Sequence, residues 1–187
     1  LAASTTAEWE AMRGSGAATS LERCDVGELA HVQRLAVSSL EGVWHAAGVL
    51  ADAVLPNQAA RALARVCAPK AHGASALHGI AAARGAGAFA LFSSVAALLG
   101  GAGQANYAAA NTCLDSLASC RRSCGAVGTS VQWGAWAEVG MAARGAASER
   151  MAAMEAASGF GRLGLAQGLA ALGIGVGHAA SSVVSVV

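Results

Sequence analysis

Residues 89–111 read FALFSSVAALLGGAGQANYAAAN, and this stretch decides the fold. It opens with the nearly continuous apolar run Phe89–Ser93, which is typical of a β-strand buried on both faces of a parallel sheet. A glycine-rich loop at 100–103 follows, and a helix is predicted from Gln104 to about Cys124. Because a buried strand that leads through a loop into a long helix is half of a βαβ unit, the stretch predicts an α/β fold.

The same alternation of short apolar runs and helical patterns extends to both ends of the chain. Strands are predicted at Thr19–Cys24, Gly42–His45, Thr129–Trp133 and Ser182–Val187. Helices are predicted at Ala7–Arg13, Gly27–Val37, Asn57 to about Ala83 with a break near Pro69, Ser148–Ala157 and Leu163–Leu172. With Phe89–Ser93 this makes five strands, and since no repeat or long linker interrupts them, we expect one domain.

Composition and charge exclude two classes of protein. The chain has 12 Lys+Arg and 11 Asp+Glu, a formal charge of +1, which argues against the basic surface of a nucleic-acid-binding protein. No charged residue lies between Arg84 and Asp115, a stretch longer than the ~20 residues of a membrane-spanning helix. Since that stretch carries polar side chains and a glycine-rich break, we predict neither nucleic-acid binding nor membrane insertion.

The cysteines and histidines predict neither a disulfide framework nor a metal site. The five cysteines form no C-x-x-C pair. Three of them, Cys113, Cys120 and Cys124, could share one helical face, and we expect them to be small buried apolar residues. No Cys or Asp lies at ligand spacing from His72 or His78, so no metal is predicted.

No G-x-G-x-x-G turn follows any predicted strand. In dinucleotide-binding folds this turn seats the pyrophosphate on a helix N-terminus. The glycine-rich loop at 100–103 lies deep in the chain, and the glycine-rich residues 159–177 follow no strand. Two interpretations stay open: the protein binds no nucleotide, or the unit precedes Leu1.

Four polar residues could carry chemistry. Ser94 ends the buried strand, where parallel sheets place ligands, and Tyr107 and Asn111 stack four residues apart on the predicted helix. Bringing a tyrosine pKa from ~10 toward 7 takes roughly 4 kcal/mol, which a nearby ammonium could supply. Lys70 is the only lysine of the chain, and Tyr107 is the only tyrosine. The alternative is that Tyr107 is an ordinary core residue and Lys70 a surface lysine.

The order and spacing of these residues resemble the ketoreductase domain of polyketide synthases, in the short-chain dehydrogenase/reductase superfamily. Ser94 lies 13 residues before Tyr107, and Lys70 lies 24 residues before Ser94. In most members of the superfamily the lysine follows the tyrosine by four. Here Asn111 takes that position, an exchange that marks the ketoreductases. The matching stretches are Trp44–Leu50 (WHAAGVL), Ala68–Lys70 (APK), Leu91–Ala96 (LFSSVA), Gly103–Asn111 (GQANYAAAN) and Gln132–Trp136 (QWGAW).

The resemblance implies a Rossmann-like three-layer fold with a mostly parallel sheet. Residues 1–187 would be the C-terminal part of a ketoreductase catalytic domain in a cytoplasmic, multidomain synthase. We expect the N-terminal strand-turn-helix unit and two central strands to be missing, which would leave a gap between the halves of the sheet. This chain alone is therefore expected to be inactive.

The resemblance also implies an activity, the NADPH-dependent reduction of a β-keto group on an acyl thioester held by an acyl carrier protein. Tyr107 would be the general acid, and Ser94 would hydrogen-bond the same substrate oxygen. Lys70 would lower the pKa of Tyr107 and contact the cofactor ribose, and Asn111 would hold a water in the proton relay. The implied cofactor-lining positions are Asp25 and Val26 at the adenine, with the backbone of Ala46, Ala47 and Gly48.

Substrate and stereocontrol positions follow from the same resemblance. The loop from Trp136 through Gly140 and Met141 corresponds to the substrate lid. Ketoreductases of one stereochemical type carry Leu-Asp-Asp after the HAAG motif, and here Asp52 keeps only the last acid. The opposite type carries Trp eight residues before the tyrosine, and here that residue is Leu99.

Both observations favour the B type, which gives a D-configured 3-hydroxyl. The residues that mark epimerisation at C2 are absent, since Gln104 replaces His and Ala109 replaces Pro.

Two alternative functions are weighed against this one. A free-standing short-chain dehydrogenase acting on a small alcohol is disfavoured by the exchanged Lys70 and Asn111 and by the missing start Met. A non-catalytic structural half of a synthase domain is disfavoured because the Ser-Tyr-Asn set is complete. His45 could serve as a base, but its place on a strand favours a buried histidine with satisfied hydrogen bonds.

Overall fold

The computed structural model describes residues 6–35, 39–138, 140, 155, 159, 161–175 and 181–187. Four strands form one parallel sheet in chain order: β1 (Gly42–His45), β2 (Ala88–Ser94), β3 (Thr129–Trp133) and β4 (Val183–Val186). The helices are α1 (Thr6–Gly14), α2 (Leu29–Gln33), α3 (Ala60–Cys67), α4 (Gly73–Arg84), α5 (Ala96–Leu99), α6 (Ala105–Ser123) and α7 (Leu165–Gly175). A 3₁₀ turn at Leu55–Asn57 and a π-helical turn at Ala68–His72 complete the described elements.

Helices cover both faces of the sheet, which makes three layers. On one face Phe89 and Leu91 of β2 pack against Leu114 and Ala118 of α6, with α4 beside them. On the other face the alternate residues of the strands pack against α7 and Leu163. Because the side chains of a strand alternate between faces, a strand covered on both sides is expected to be mainly apolar, as residues 88–92 of β2 are.

The sheet is continuous, so the predicted gap between its halves is wrong. β1 pairs with β2 from Gly42–Ala88 to His45–Leu91, and the next two pairs continue without a break. The predicted strand Thr19–Cys24 is also wrong, since those residues form no regular element and Leu21 is 58% exposed. Without a neighbouring strand to pair with its backbone groups, a segment of that length does not form a stable strand. The described sheet therefore has four strands and not five.

The other predicted elements differ mainly in their bounds. Thr129–Trp133 is confirmed to the residue. The predicted helix Gly27–Val37 is observed only as Leu29–Gln33, and part of it lies outside the described residues. The predicted helix Ser148–Ala157 also lies outside them, apart from a single residue.

The prediction that three cysteines in and directly after α6 are buried is wrong. Cys113, Cys120 and Cys124 are all exposed. The inward face of the helix is lined instead by residues at helical spacing from the tyrosine, namely Tyr107, Ala110, Asn111, Leu114, Ala118 and Arg121. The cysteines lie on other faces, since burial on a helix follows the 3.6-residue period of its packed stripe.

Within the part of the chain that the structure describes, no helix combines the length and the apolar composition needed to cross a bilayer.

Candidate active site

The four predicted catalytic residues meet at the carboxyl end of β2. Ser94 is the last residue of that strand, and Tyr107 and Asn111 lie in the first turns of α6. Lys70 arrives from the π-helical turn between α3 and α4. Parallel α/β sheets place their ligand sites at this edge, because the loops that follow the strands converge there.

The π-helical turn places Lys70 inside the protein. Pro69 lacks a backbone N–H and interrupts the regular helical hydrogen bonds, and single π-helical turns often mark functional sites. The lysine is 3% exposed, its Nζ donates to the carbonyl of Phe92 at 2.8 Å, and Nζ lies 5.5 Å from the centre of the Tyr107 ring. The alternative of a surface lysine is therefore wrong.

Burial governs the charge of this lysine. Removal from water lowers the pKa of Lys70 from the ordinary 10.5 to about 8, and the charge of Asp115 acts in the opposite direction. At neutral pH Lys70 therefore remains an ammonium ion, although at a cost in solvation.

Tyr107 is buried, and its hydroxyl keeps its proton. Burial raises the pKa of Tyr107 above 10, and the Asp52 carboxylate also raises it. Contacts with the side chains of Asn111 and Ser94 act to lower it, but burial dominates. Burial therefore outweighs the lowering of the Tyr107 pKa that the resemblance assigns to Lys70, whose ammonium donates to the Phe92 carbonyl in this structure.

Ser94 and Asn111 both hold the local backbone. Ser94 Oγ accepts a hydrogen bond from the Ala96 N–H at 3.2 Å, which leaves the hydroxyl proton free of this contact. Asn111 Nδ2 donates to the Tyr107 carbonyl at 2.8 Å. Asn111 Oδ1 is buried without a hydrogen-bond partner among the described residues. A fully buried acceptor of this kind is a place for a small polar ligand or an ordered water.

The segment that follows β1 is tied to the start of α6. Asn106 Nδ2 donates to the Ala51 carbonyl at 2.8 Å, and the Ala53 N–H donates to the Gly103 carbonyl at 2.9 Å. Gln104 Nε2 donates to Asp52 Oδ2 at 3.2 Å. Two predicted stereocontrol residues, Asp52 and Gln104, are thus in direct contact. The role of Asn106 was not predicted from the sequence; its Oδ1 also accepts from the Tyr107 N–H at 2.7 Å, in the first turn of α6, where backbone N–H groups lack partners within the helix.

The predicted cofactor-lining residues border the π-helical turn. A Cβ on Gly48 would lie 3.0 Å from Lys70 Cε, so this glycine lets the backbone after β1 approach the lysine closely. Ala46 and Ala47 precede it, with Ala46 exposed. Asp25 is exposed, and its carboxylate accepts a hydrogen bond from the Gly27 N–H at 3.0 Å.

Val26 packs the segment at residues 25–27 against α4. A Cβ on Gly73, at the start of α4, would lie 3.0 Å from Val26 Cγ2, so the segment at 25–27 packs directly against the helix that follows Lys70. The predicted adenine and ribose positions therefore flank one and the same turn.

The predicted lid begins as an ordered segment. Trp136 forms an isolated parallel bridge with Leu163, and its ring centre lies 4.9 Å from that of Trp133. Gly140 has φ +85, in the left-handed region that favours glycine. Met141 lies outside the described residues.

Leu99 and His45 differ in their exposure to solvent. Leu99, at the end of α5, is 59% exposed. His45 is 3% exposed, and its pKa is lowered by burial and then by the charge of Lys70. The expected burial of His45 is confirmed, but its Nε2 lacks a hydrogen-bond partner in the described part of the chain, so its hydrogen bonds are not all satisfied as expected.

Comparison with known proteins identifies the family. The sequence pattern of the KR domain matches residues 2–138. The polyketide synthase GfsA of Streptomyces halstedii is 46% identical over 130 residues, which cover 67% of this chain and 2% of that protein. The chain thus corresponds to a small part of the curated relatives that it matches.

Solved structures of ketoreductases also match this chain. A structure of A-type ketoreductases from a modular polyketide synthase is 34% identical with a TM-score of 0.84, covering 91% of this chain and 37% of that one. The ketoreductase from the first module of phoslactomycin biosynthesis in Streptomyces sp. HK803 is 33% identical with a TM-score of 0.85, covering 97% and 42%. The predicted Rossmann-like fold is confirmed, and the chain belongs to the KR domain family, the ketoreductase domains of polyketide synthases.

Proposed function

We propose that this chain is the catalytic part of a ketoreductase that reduces the β-keto group of a carrier-bound acyl thioester to a hydroxyl group, with NADPH as the reductant. The observation that carries the proposal is the convergence of a buried, protonated Tyr107, the Ser94 hydroxyl and the Lys70 ammonium at one strand end. A proton donor, a second hydrogen-bond donor and a fixed positive charge are what carbonyl reduction needs.

Tyr107 is the proton donor in this proposal. Its raised pKa means that the hydroxyl arrives at the reaction protonated. As the ketone oxygen becomes an alkoxide, a far stronger base than a phenolate, the proton transfers from Tyr107 to that oxygen. Ser94 donates a hydrogen bond to the same oxygen and orients it. The nearby Lys70 ammonium stabilises the phenolate that Tyr107 becomes.

The residues present fit a nicotinamide cofactor, which when bound supplies the hydride. The close approach of Gly48 to Lys70 leaves backbone and ammonium side by side for ribose and nicotinamide groups. The exposed Asp25 carboxylate can accept a hydrogen bond from an adenine amino group. The acyl carrier protein and the neighbouring synthase domains are the proposed partners.

We propose the B stereochemical type for this site. Leu99 occupies the position eight residues before Tyr107 where the opposite type carries a tryptophan. Of the Leu-Asp-Asp motif this chain keeps only the last acid, Asp52, and Gln104 holds its carboxylate by a hydrogen bond. The fold itself does not select the type, because structures described as A-type and C2-type match with TM-scores of 0.84 and 0.79. Chiral analysis of the 3-hydroxyacyl product tests the assignment, and an L-configured product would overturn it.

The activity is tested in the complete synthase domain with NADPH and a β-ketoacyl thioester. Tyr107→Phe is expected to lower reduction by at least about 100-fold while NADPH affinity stays nearly unchanged, because only the proton donor is lost. Thr112→Ala, on the exposed side of α6, is the matched control and should reduce at the wild-type rate. Near wild-type reduction by Tyr107→Phe would refute the assignment of the acid. For this chain by itself we expect no turnover, since no phosphate-binding turn is present in its sequence.

A further inference from the structure

The side chain of Gln58 joins two segments that are distant in the sequence, residues 50–53 and residues 103–106. Its Nε2 donates to the Ala53 carbonyl at 2.8 Å and to the Gly103 carbonyl at 3.4 Å. Because both of these groups are acceptors, only the NH₂ end of the amide can satisfy them. The Ala53 N–H donates to the same Gly103 carbonyl at 2.9 Å. The two segments are thus held together by the backbone and by one side chain.

A short turn carries Gln58 to this place. The 3₁₀ turn at Leu55–Asn57 has Pro56 in its first positions, and the Gln58 N–H donates to the Leu55 carbonyl at 3.2 Å. Since the proline ring fixes its own backbone angle, the turn is stiff. The side chain of Gln58 therefore reaches back to Ala53 from a defined backbone position.

The two carbonyls that Gln58 binds lie next to the two predicted stereocontrol residues. Ala53 directly follows Asp52, and Gly103 directly precedes Gln104. Gln104 Nε2 donates to Asp52 Oδ2 at 3.2 Å, so these two side chains meet beside the bridge. The spacing of the two backbones therefore sets the contact between the stereocontrol residues.

Both segments also contact the tyrosine of the site. Asn106 Nδ2 donates to the Ala51 carbonyl at 2.8 Å, and Asn106 Oδ1 accepts from the Tyr107 N–H at 2.7 Å. Leu50 and Ala51 pack against the buried cluster that includes Tyr107. A shift between the two segments would therefore change the surface beside Tyr107.

We propose that Gln58 is a positioning residue for stereocontrol: by binding the Ala53 and Gly103 carbonyls, its amide fixes the spacing of the two segments and thereby the face of the ketone that is reduced. The two faces of a ketone present the same atoms, so selection between them depends on how firmly the walls of the site are held. The stereochemical consequence rests on the proposed function, whereas the joining of the two segments does not.

The joining of the segments is measured by hydrogen exchange of the complete synthase domain. Gln58→Met keeps the length of the side chain and removes its donor, so the backbone amides of residues 51–53 should exchange roughly 2–10-fold faster. Asn57→Ala removes an exposed neighbouring side chain and should exchange as the wild type does. Residues 129–133, in β3, are the internal reference and should not change. Unchanged exchange at residues 51–53 in Gln58→Met would overturn the proposal.

The stereochemical consequence is measured as the ratio of the two 3-hydroxyacyl products. In Gln58→Met the minor isomer should increase roughly 2–10-fold relative to the major one, while NADPH affinity stays unchanged. Asn57→Ala should keep the wild-type ratio. A merely structural role would slow the formation of both isomers equally, and a product ratio equal to that of the wild type therefore contradicts the proposal.

Circular dichroism shows whether Gln58→Met is folded. If it is not, Gln58→Glu decides by the same two measurements, because it keeps the shape of the side chain and places an oxygen against the two carbonyls. If the wild-type domain makes the L-configured product, the B assignment fails, and the change of ratio in the variant still tests the role of Gln58. If the wild-type domain reduces no ketone, the proposed function fails, and exchange at residues 51–53 still decides whether Gln58 joins the segments.

Discussion

The ammonium of Lys70 lies 5.5 Å from the centre of the Tyr107 ring, so the single lysine and the single tyrosine of the chain share one site. The two residues come from different elements, a π-helical turn and the start of α6. Burial acts on them in opposite senses: it lowers the pKa of the lysine and raises that of the tyrosine. Both effects favour the form with the smaller net charge in a low-dielectric site.

Stability should rise with pH where Lys70 titrates. Since the pKa of Lys70 is about 8 in the folded chain and ordinarily 10.5, the unfolded chain binds more protons between these values. The free energy of unfolding should therefore increase above pH 8, by at most about 1.4 kcal/mol per pH unit. Urea unfolding of wild type and Lys70→Met at pH 7.5, 8.5 and 9.5 isolates this contribution, because other titrating groups cancel in the difference. A difference that stays constant over this range would contradict the buried ammonium.

Stability should fall on the acidic side through His78. Burial, and then the adjacent Arg121 guanidinium, lower the pKa of His78 below 6.5. The unfolded chain therefore takes up a proton first, and folding loses free energy as the pH falls below 6.5. Unfolding of His78→Asn should depend less on pH between 6.5 and 5 than that of the wild type. His72→Asn, at an exposed position, is the control, and equal slopes for the two variants would refute the prediction.

Asn106 should contribute more to the free energy of unfolding than an ordinary polar residue of α6 does. It is 4% exposed, donates to the Ala51 carbonyl and accepts from the Tyr107 N–H at 2.7 Å. Asn106→Ala should lower the free energy of unfolding by about 1–3 kcal/mol, because it leaves a buried carbonyl and a buried N–H unpaired. Thr112→Ala, on the exposed side of the same helix, should cost less than about 0.5 kcal/mol. Chemical denaturation of both variants makes the comparison, and equal losses would contradict it.

Leu114 should be a major core contact. Its side chain is fully buried between α6 and the sheet, where it packs with Phe89 and Leu91. Leu114→Ala removes that contact and leaves a cavity, which should cost about 2–5 kcal/mol of unfolding free energy. Leu98→Ala removes a side chain that is 63% exposed and should change stability by no more than about 0.5 kcal/mol. A loss below 1 kcal/mol for Leu114→Ala, measured by urea unfolding, would contradict the assigned core.

The sequence pattern within a segment was sufficient to predict the two central strands. β2 could be predicted because a strand covered on both faces is mainly apolar, as its residues 88–92 are, and β3 was predicted with the bounds that are observed. The strand predicted at Thr19–Cys24 was wrong, because no strand lies beside this segment to pair with it. Whether a strand finds a partner depends on distant parts of the chain, so the sequence pattern within residues 19–24 does not predict it.

For the candidate site too, some features could be predicted from the sequence and others only from the tertiary structure. The sequence alone determined the α/β class, and its resemblance to ketoreductases predicted the set of Ser94, Tyr107, Asn111 and Lys70, because the order and spacing of these residues can be read along the chain. Only the tertiary structure decided that Lys70 is buried, that its ammonium donates to the Phe92 carbonyl and that it lies beside the Tyr107 ring. The reason is physical: residue type and spacing are properties of one segment, whereas solvation and charge pairing depend on which segments fold against each other.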